Sequence, residues 1–211
     1  KYGSAYERNS KDKQVGLAYA SALRMTGRND QALAVMRQVA IVHANDREVL
    51  AAYGKALAGA GDFEAAIDAV RRAQRPDFPD WRLLSAEGAI LDQMGQQDAA
   101  RELYRKALDL QPNEASVLSN LGMSYLLAND LKTAETYMRS ASQRSGADSR
   151  VRQNLALVVG LQSRFHEADQ IARQELSPQQ AEANVSYLKS MLAQQNSWTK
   201  LKDKKPAEAA A

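Results

Sequence analysis

Residues 115–148 read ASVLSNLGMSYLLANDLKTAETYMRSASQRSGAD, two short segments of helical apolar spacing on either side of Asn129. Gly122 in the first segment and Ala134 and Ala141 in the second are small, and small residues let two helices cross at close range. Asn129 suits a left-handed residue just past a helix end. Asp130, next to it, can cap the helix that follows. The stretch therefore reads as a helix–turn–helix unit.

The same pattern recurs in both directions at a spacing of 34 residues. One series runs Gly27…Ala32, Gly61…Ala66, Gly95…Ala100, Asn129…Ala134 and Ser163…Ala168, without insertion. A second series, of small residues, is Ala20, Gly54, Gly88, Gly122 and Ala156, and a third is Val39, Ala73, Ala107 and Ala141, failing at Glu175. A fourth, apolar throughout, is Leu23, Leu57, Leu91, Tyr125 and Val159. It lies at helical spacing from the small series, so both fall on one buried stripe. Asp62 is placed like Asp130 and is expected to cap in the same way. A fixed period of this length marks a repeat architecture, each unit burying its apolar face against its neighbours.

The units are 13–46, 47–80, 81–114, 115–148 and 149–176. Residues 1–12 read as the second half of a preceding unit, with Tyr2 and Ala5 at the repeat's aromatic and small positions, so the chain is expected to begin inside a repeat array. Ser177-Pro178 ends the fifth unit and opens a capping helix over 177–198, since Pro is well placed in a first helical turn. Val185, Leu188, Met191 and Leu192 form its apolar face. Residues 199–211 are expected to be a disordered tail.

Composition agrees with a folded helical protein. Of 211 residues, 45% are hydrophobic and 25% charged, with few Gly and Pro to break helices. The formal net charge of +3 comes with no basic stripe of the kind nucleic-acid binders carry. There is no cysteine, which excludes disulfides, thiolate zinc sites and cysteine nucleophiles, and which suits the cytosol and the bacterial periplasm alike. Nothing is long and apolar enough to span a membrane.

Catalytic patterns fail on inspection. His166-Glu167-Ala168-Asp169-Gln170 has Gln where a zinc helix needs its second His. Gly59-Ala60-Gly61 follows a helix instead of a strand and lacks the third Gly of a dinucleotide loop. His43 and His166 read as surface residues, and Glu87 and Asp92 as ordinary solvated helix charges. The chain is expected to be non-enzymatic, with no cofactor and no metal.

The repeat resembles the tetratricopeptide repeat (TPR), a 34-residue helix–turn–helix unit. The fourth unit carries that family's marks at Leu118, Leu121-Gly122, Tyr125, Asn129, Ala134, Met138 and Ala141, and the third at Leu84, Gly88, Leu91, Gly95, Ala100, Tyr104, Ala107 and Pro112. The match holds one register over 13–176. It implies an all-α fold, a superhelical solenoid of about five repeats closed by the C-terminal helix, that binds a protein partner in a concave groove. Repeat positions 2, 5, 6, 9, 12 and 13 would face that groove. Carried onto this chain, they give Gln14, Leu17, Ser21, Arg24, Glu48 and Lys55 in the first two units, and Arg82, Ser85, Ala89 and Asp92 in the third. The fourth gives Ser119, Asn120, Met123, Leu126 and Leu127, and the fifth Arg150, Gln153, Asn154, Leu157 and Leu161.

Asn120 and Asn154 share one repeat position, where several peptide-binding TPR proteins use Asn to bond an extended peptide; the other reading is that both amides simply meet water. Met123, Leu126, Leu127, Leu157 and Leu161 either offer an adaptable apolar surface to a partner or lie under the last helix. Chaperone C-terminal peptides are disfavoured, because the clamp positions hold Leu17, Ser21 and Ala52.

A narrower resemblance lies at Ala183-Asn-Val-Ser-Tyr-Leu-Lys-Ser-Met-Leu192 and Gln194-Gln-Asn-Ser-Trp198. It is similar to the ending of TadD-type TPR lipoproteins of bacterial tight-adherence (Flp) pilus systems. That resemblance implies a lipidated Cys upstream of Lys1 and a place on the periplasmic face of the outer membrane. It also implies a pilotin-like role toward the secretin or other pilus machinery. The competing reading is a cytosolic adaptor or regulator that binds a peptide segment of a signalling or chaperone partner.

Overall fold

The computed structural model describes the backbone of residues 2–203 and the side chains of residues 2–193. Within them the fold is all-α, with helices and no strand. The order is α1 (Tyr2–Arg8), α2 (Lys13–Met25), α3 (Asn29–Val42), α4 (Arg47–Gly59), α5 (Phe63–Ala73), α6 (Trp81–Gln93) and α7 (Gln97–Leu110), then α8 (Ala115–Leu127), α9 (Leu131–Ser142), α10 (Ser149–Leu161), α11 (Phe165–Ala172) and α12 (Pro178–Asp203). The chain divides into two compact units, Lys1–Pro112 and Asn113–Ala211.

The even-numbered helices α2 to α10 open each repeat and share one start signal. Asp12, Asp46, Asp80, Glu114 and Asp148 each precede a helix and accept a backbone N–H from its first turn. Asp46 takes two, from Glu48 at 3.0 Å and Val49 at 3.1 Å. Each such cap contributes about 1 kcal/mol. Before the second helices the caps are uneven. Asp130 accepts from Thr133 N at 3.1 Å, whereas the Asp62 side chain makes no cap bond.

The turns inside the pairs are alike. Gly27, Gly61 and Gly95 have φ of 74°, 85° and 77°, and Asn129 and Ser163 hold the same left-handed conformation at 61° and 65°. The next residue's N–H then reaches back five residues, as from Asp62 to Leu57 O at 3.0 Å and from Asp130 to Tyr125 O at 2.9 Å. These bonds satisfy carbonyls that the helix end would otherwise leave open.

In the first unit, α4 packs on α5 and α6 on α7 around small residues. Ala32, Ala66 and Ala100 are each at most 1% exposed. A methyl group on Gly88 would lie 2.8 Å from Tyr104 Cε1 and 3.1 Å from the Ala100 carbonyl oxygen. In the second unit, Ala134, Met138, Leu155, Val158, Val159 and Ala168 form the core with Val185 of α12. α11 is short, ending at Ala172; Glu175, where the small series fails, is ion-paired with Arg152. Ser177 and Gln180 cap α12 reciprocally: Gln180 N donates to Ser177 Oγ at 3.3 Å and Ser177 N to Gln180 Oε1 at 3.1 Å. Ala181, Val185 and Leu188 bury α12 against α10 and α11. The helix runs on to Asp203, so 199–203, expected to be part of the tail, lie within it. No Gly or Pro interrupts that stretch. Residues 204–211 lie outside the described residues.

Glu135 ties α9 to the turn between α10 and α11 in the second unit. Arg139 Nε donates to it at 2.7 Å and Gln162 Nε2 at 2.8 Å, and Arg164 pairs with it. Burial raises its pKa, but the bonds from Arg164, Gln162 and Arg139 outweigh burial and bring it down from 4.5 to about 2.

Two stability outcomes are expected. Gly88→Ala gains up to ~1 kcal/mol of helix propensity but overpacks against an aromatic ring and a backbone oxygen, at ~1–3 kcal/mol. Urea unfolding should therefore show a net loss, while Gly146→Ala, whose methyl meets nothing nearer than Ala115 Cβ at 4.0 Å, should show none. The lowered pKa of Glu135 makes its stabilisation complete above pH 4.5 and lost as pH falls toward 2. The stability gap between the natural chain and Glu135→Gln, about 1–3 kcal/mol near neutrality, should close over that window in acid-titrated urea melts.

Candidate partner-binding grooves

Each unit presents its own set of the residues expected to face a partner. In the first, α2 and α4 flank a groove of about 250 Å³. Leu17, Ser21, Arg24, Glu48 and Lys55 line it above a floor of Ala20, Ala51, Ala52 and Ala56. Lys13 holds Glu48 and Asp46 by ion pairs of 3.0 Å each, and Gln14 Nε2 reaches Glu48 at 3.4 Å. Lys55 has an open surface, yet protein atoms crowd its ammonium. That desolvation first, then the charges of Arg24 and Arg82, hold its pKa below the ordinary lysine range against the opposing pull of Asp80. Arg82 is exposed on α6, its guanidinium 4.7 Å above the Trp81 ring and 3.9 Å from Asp80.

Two acids of the first unit differ from expectation. Asp92 is a buried acceptor, 9% exposed, and takes the Tyr104 hydroxyl at 2.8 Å. Tyr104 fills the core position that Met36, Val70 and Met138 fill in other repeats, so its hydroxyl needs an acceptor where those side chains need none. Burial, then the Asp92 charge and hydrogen bond, raise the Tyr104 pKa, which keeps the hydroxyl a donor. Glu87 is largely covered and is held by Arg71 at 2.7 Å.

In the second unit, Ser119 is only 2% exposed and receives a hydrogen bond from Asn154 Nδ2 at 3.3 Å. That contact occupies Ser119 inside the fold, so it offers no free surface to a partner. Asn120 and Met123 are half-buried, and Arg150, Gln153 and Leu127 are exposed. Gln153 Nε2 donates to Ser149 Oγ at 2.9 Å. Leu157 and Gln153 share a cavity of about 180 Å³ with Asn184, Val185, Tyr187 and Leu188 of α12. The last helix thus covers the Leu157 side of α10 without filling it, while Leu127 stays open at 56% exposure. His43 Nε2 lies 3.0 Å from Lys11 O, and His166 beside Gln170. Among the described residues, no cluster of His, Asp or Glu is arranged to hold a metal, and no helix is long and apolar enough to cross a membrane.

The sequence reading missed the acidic caps of the first helices, although Asp12, Asp46, Asp80, Glu114 and Asp148 stand 34 residues apart in plain sight. It also missed the Ser119–Asn154 contact, for which the sequence carries no signal.

Helix pairs of constant period, with grooved faces, define the class: an all-α repeat scaffold for protein–protein contact. A family model described as tetratricopeptide repeat matches residues 4–80, and another described as TPR repeat matches 88–128. The chain is a tetratricopeptide-repeat protein. Its fold is similar to a tetratricopeptide repeat protein from Parabacteroides merdae, with 12% identity over 89% of this chain and 75% of that one, at a TM-score of 0.76. It is also similar to the TPR protein TTC0263 of Thermus thermophilus, with 18% identity over 84% and 98%, at 0.68. PilF of Pseudomonas aeruginosa, with 18% identity over 87% and 86%, gives 0.59. These likenesses are of fold alone. No curated protein sequence matches the chain. The family matches indicate a binding scaffold and no catalytic family.

Tyr104→Phe should cost about 1–3 kcal/mol in urea melts, since it leaves a buried carboxylate short of a donor. Asp92→Leu/Tyr104→Met, which copies Leu126 and Met138 of the fourth repeat, should cost less than the two single changes summed.

Proposed function

We propose that this TPR scaffold acts as a pilotin-like assembly factor for the secretin or another component of a bacterial Flp pilus, working at the periplasmic face of the outer membrane through a lipid anchor upstream of Lys1. The observation that carries this reading is the stretch 183–192 on α12, similar to the ending of TadD-type lipoproteins. Packing accounts for Val185 and Leu188 there, both 8% exposed. It does not account for Tyr187, 69% exposed on the rim of the α10–α12 cavity beside Asn184. An exposed aromatic at the mouth of an apolar cavity is the kind of anchor that interfaces use.

The test is affinity capture on the 211-residue chain from envelope and cytosolic extracts of a bacterium bearing Flp pili. The secretin or an adjoining pilus component should be recovered from the envelope, and several-fold less with Tyr187→Ala/Leu127→Asp, both changes being on exposed side chains. Recovery of cytosolic regulators only would replace the pilus reading with that of a cytosolic adaptor.

A further inference from the structure

The first unit's groove has a charge pattern that its fold does not use. Among the described residues, Arg24 and Lys55 stand in no ion pair, although acids are close by. Those acids are already committed: Lys13 pairs with Asp46 and Glu48, and Asp80 caps α6. Arg82 adds a third cation, near enough for its charge, with that of Arg24, to help lower the Lys55 pKa. One acid, Asp80, lies 3.9 Å from Arg82 and also acts on Lys55, so three cations share a single counter-charge, and a further carboxylate placed among them relieves the repulsion that remains.

We propose that this groove binds an extended acidic segment of a partner protein, whose carboxylates meet Arg24 and Lys55 and whose chain continues toward Arg82. The proposal rests on the reading of the chain as a protein-binding scaffold and adds the chemistry of what it binds in this unit. The floor is mostly alanine, so the main chain of a segment can approach closely; of the two larger apolar side chains in the lining, Met36 is fully buried, which leaves Leu17 as the one large apolar side chain of the walls. Single-stranded nucleic acid fits less well. Such sites stack bases on aromatic rings, the groove lining has none, and the Trp81 ring already carries the Arg82 guanidinium.

The experiment is selection of random dodecapeptides displayed on phage against the full 211-residue chain and against Arg24→Glu/Lys55→Glu, with circular dichroism to verify that the variant keeps its helices. Asp- and Glu-rich peptides should be enriched on the natural chain and lost on the variant. A fluorescein-labelled winner should bind about tenfold more weakly to Lys55→Ala, to weaken with added salt, and to be unaffected by Lys132→Ala in the second unit. Winners without acidic enrichment, or winners that bind both chains equally, would overturn the proposal and leave the scaffold reading intact. A single-stranded DNA dodecamer that displaces the winner at lower concentration than the peptide itself would reassign the groove to nucleic acid. Failure to select any peptide at all would count against the scaffold reading as well.

Discussion

At Gly54, Gly88 and Gly122 a methyl group would stand 3.1 Å from one backbone atom, the carbonyl oxygen of Ala66, Ala100 and Ala134 respectively. The backbones of the two helices in each pair meet there, and neither partner has a side chain able to move aside. The contact sets the distance within each pair and turns one face of the first helix inward. That explains why Ala66, Ala100 and Ala134 are each 0% exposed while the residues following them in the pair vary in size from Val70 to Tyr104. Close packing tolerates such variation only where volume or polarity is compensated nearby. Tyr104 is the case in point, and Asp92 is its compensation.

With one face of each first helix committed to its partner, the remaining face is free to differ from repeat to repeat, and it does. The first unit sets Arg24 and Lys55 over an alanine floor. The second unit sets Leu157 and Gln153 beside α12, with Leu127 open. A common frame thus carries a cationic groove in one unit and a partly roofed apolar cavity in the other. Chemistry of such different kinds suits different segments of a partner, or different partners. The fold itself does not choose between these, because function in a repeat scaffold resides in the variable face.

The all-α repeat fold was legible in the sequence because its determinants are local and periodic. A left-handed turn residue, a small residue at a crossing and an apolar stripe each leave a mark at a fixed offset, and five copies average out the exceptions. Side-chain pairing was less legible. Ser119 and Asn154 lie 35 residues apart and touch because neighbouring first helices pack side by side. Position alone marks both as partner-facing, since a residue at the edge of the buried stripe can turn either way. Asp92 read as a solvated charge for the same reason: its burial follows from the hydroxyl of Tyr104, a residue whose repeat position suggested a plain core side chain. Asp62 and Asp130 occupy equivalent positions, yet only Asp130 closes a cap bond. Capping depends on a side-chain rotamer that sequence does not fix.

The net charge of +3 conceals how the charges are distributed. Acidic residues lie close to the first unit's groove, but folding draws them to other tasks. Asp12, Asp46, Asp80 and Asp148 are held at helix starts, where open N–H groups and the positive end of the helix dipole favour a carboxylate. Glu87 is drawn to Arg71, and Glu135 to Arg139 and Arg164. A carboxylate that caps a helix is held by the N–H groups it accepts, so it pairs only with a cation already beside it, as Asp46 does with Lys13 and Asp80 with Arg82. The demand for caps at every repeat therefore holds acids at the helix starts, and Arg24 and Lys55 stand in no ion pair among the described residues. In this chain the rule that begins each first helix is also what leaves its first unit open to a negatively charged segment.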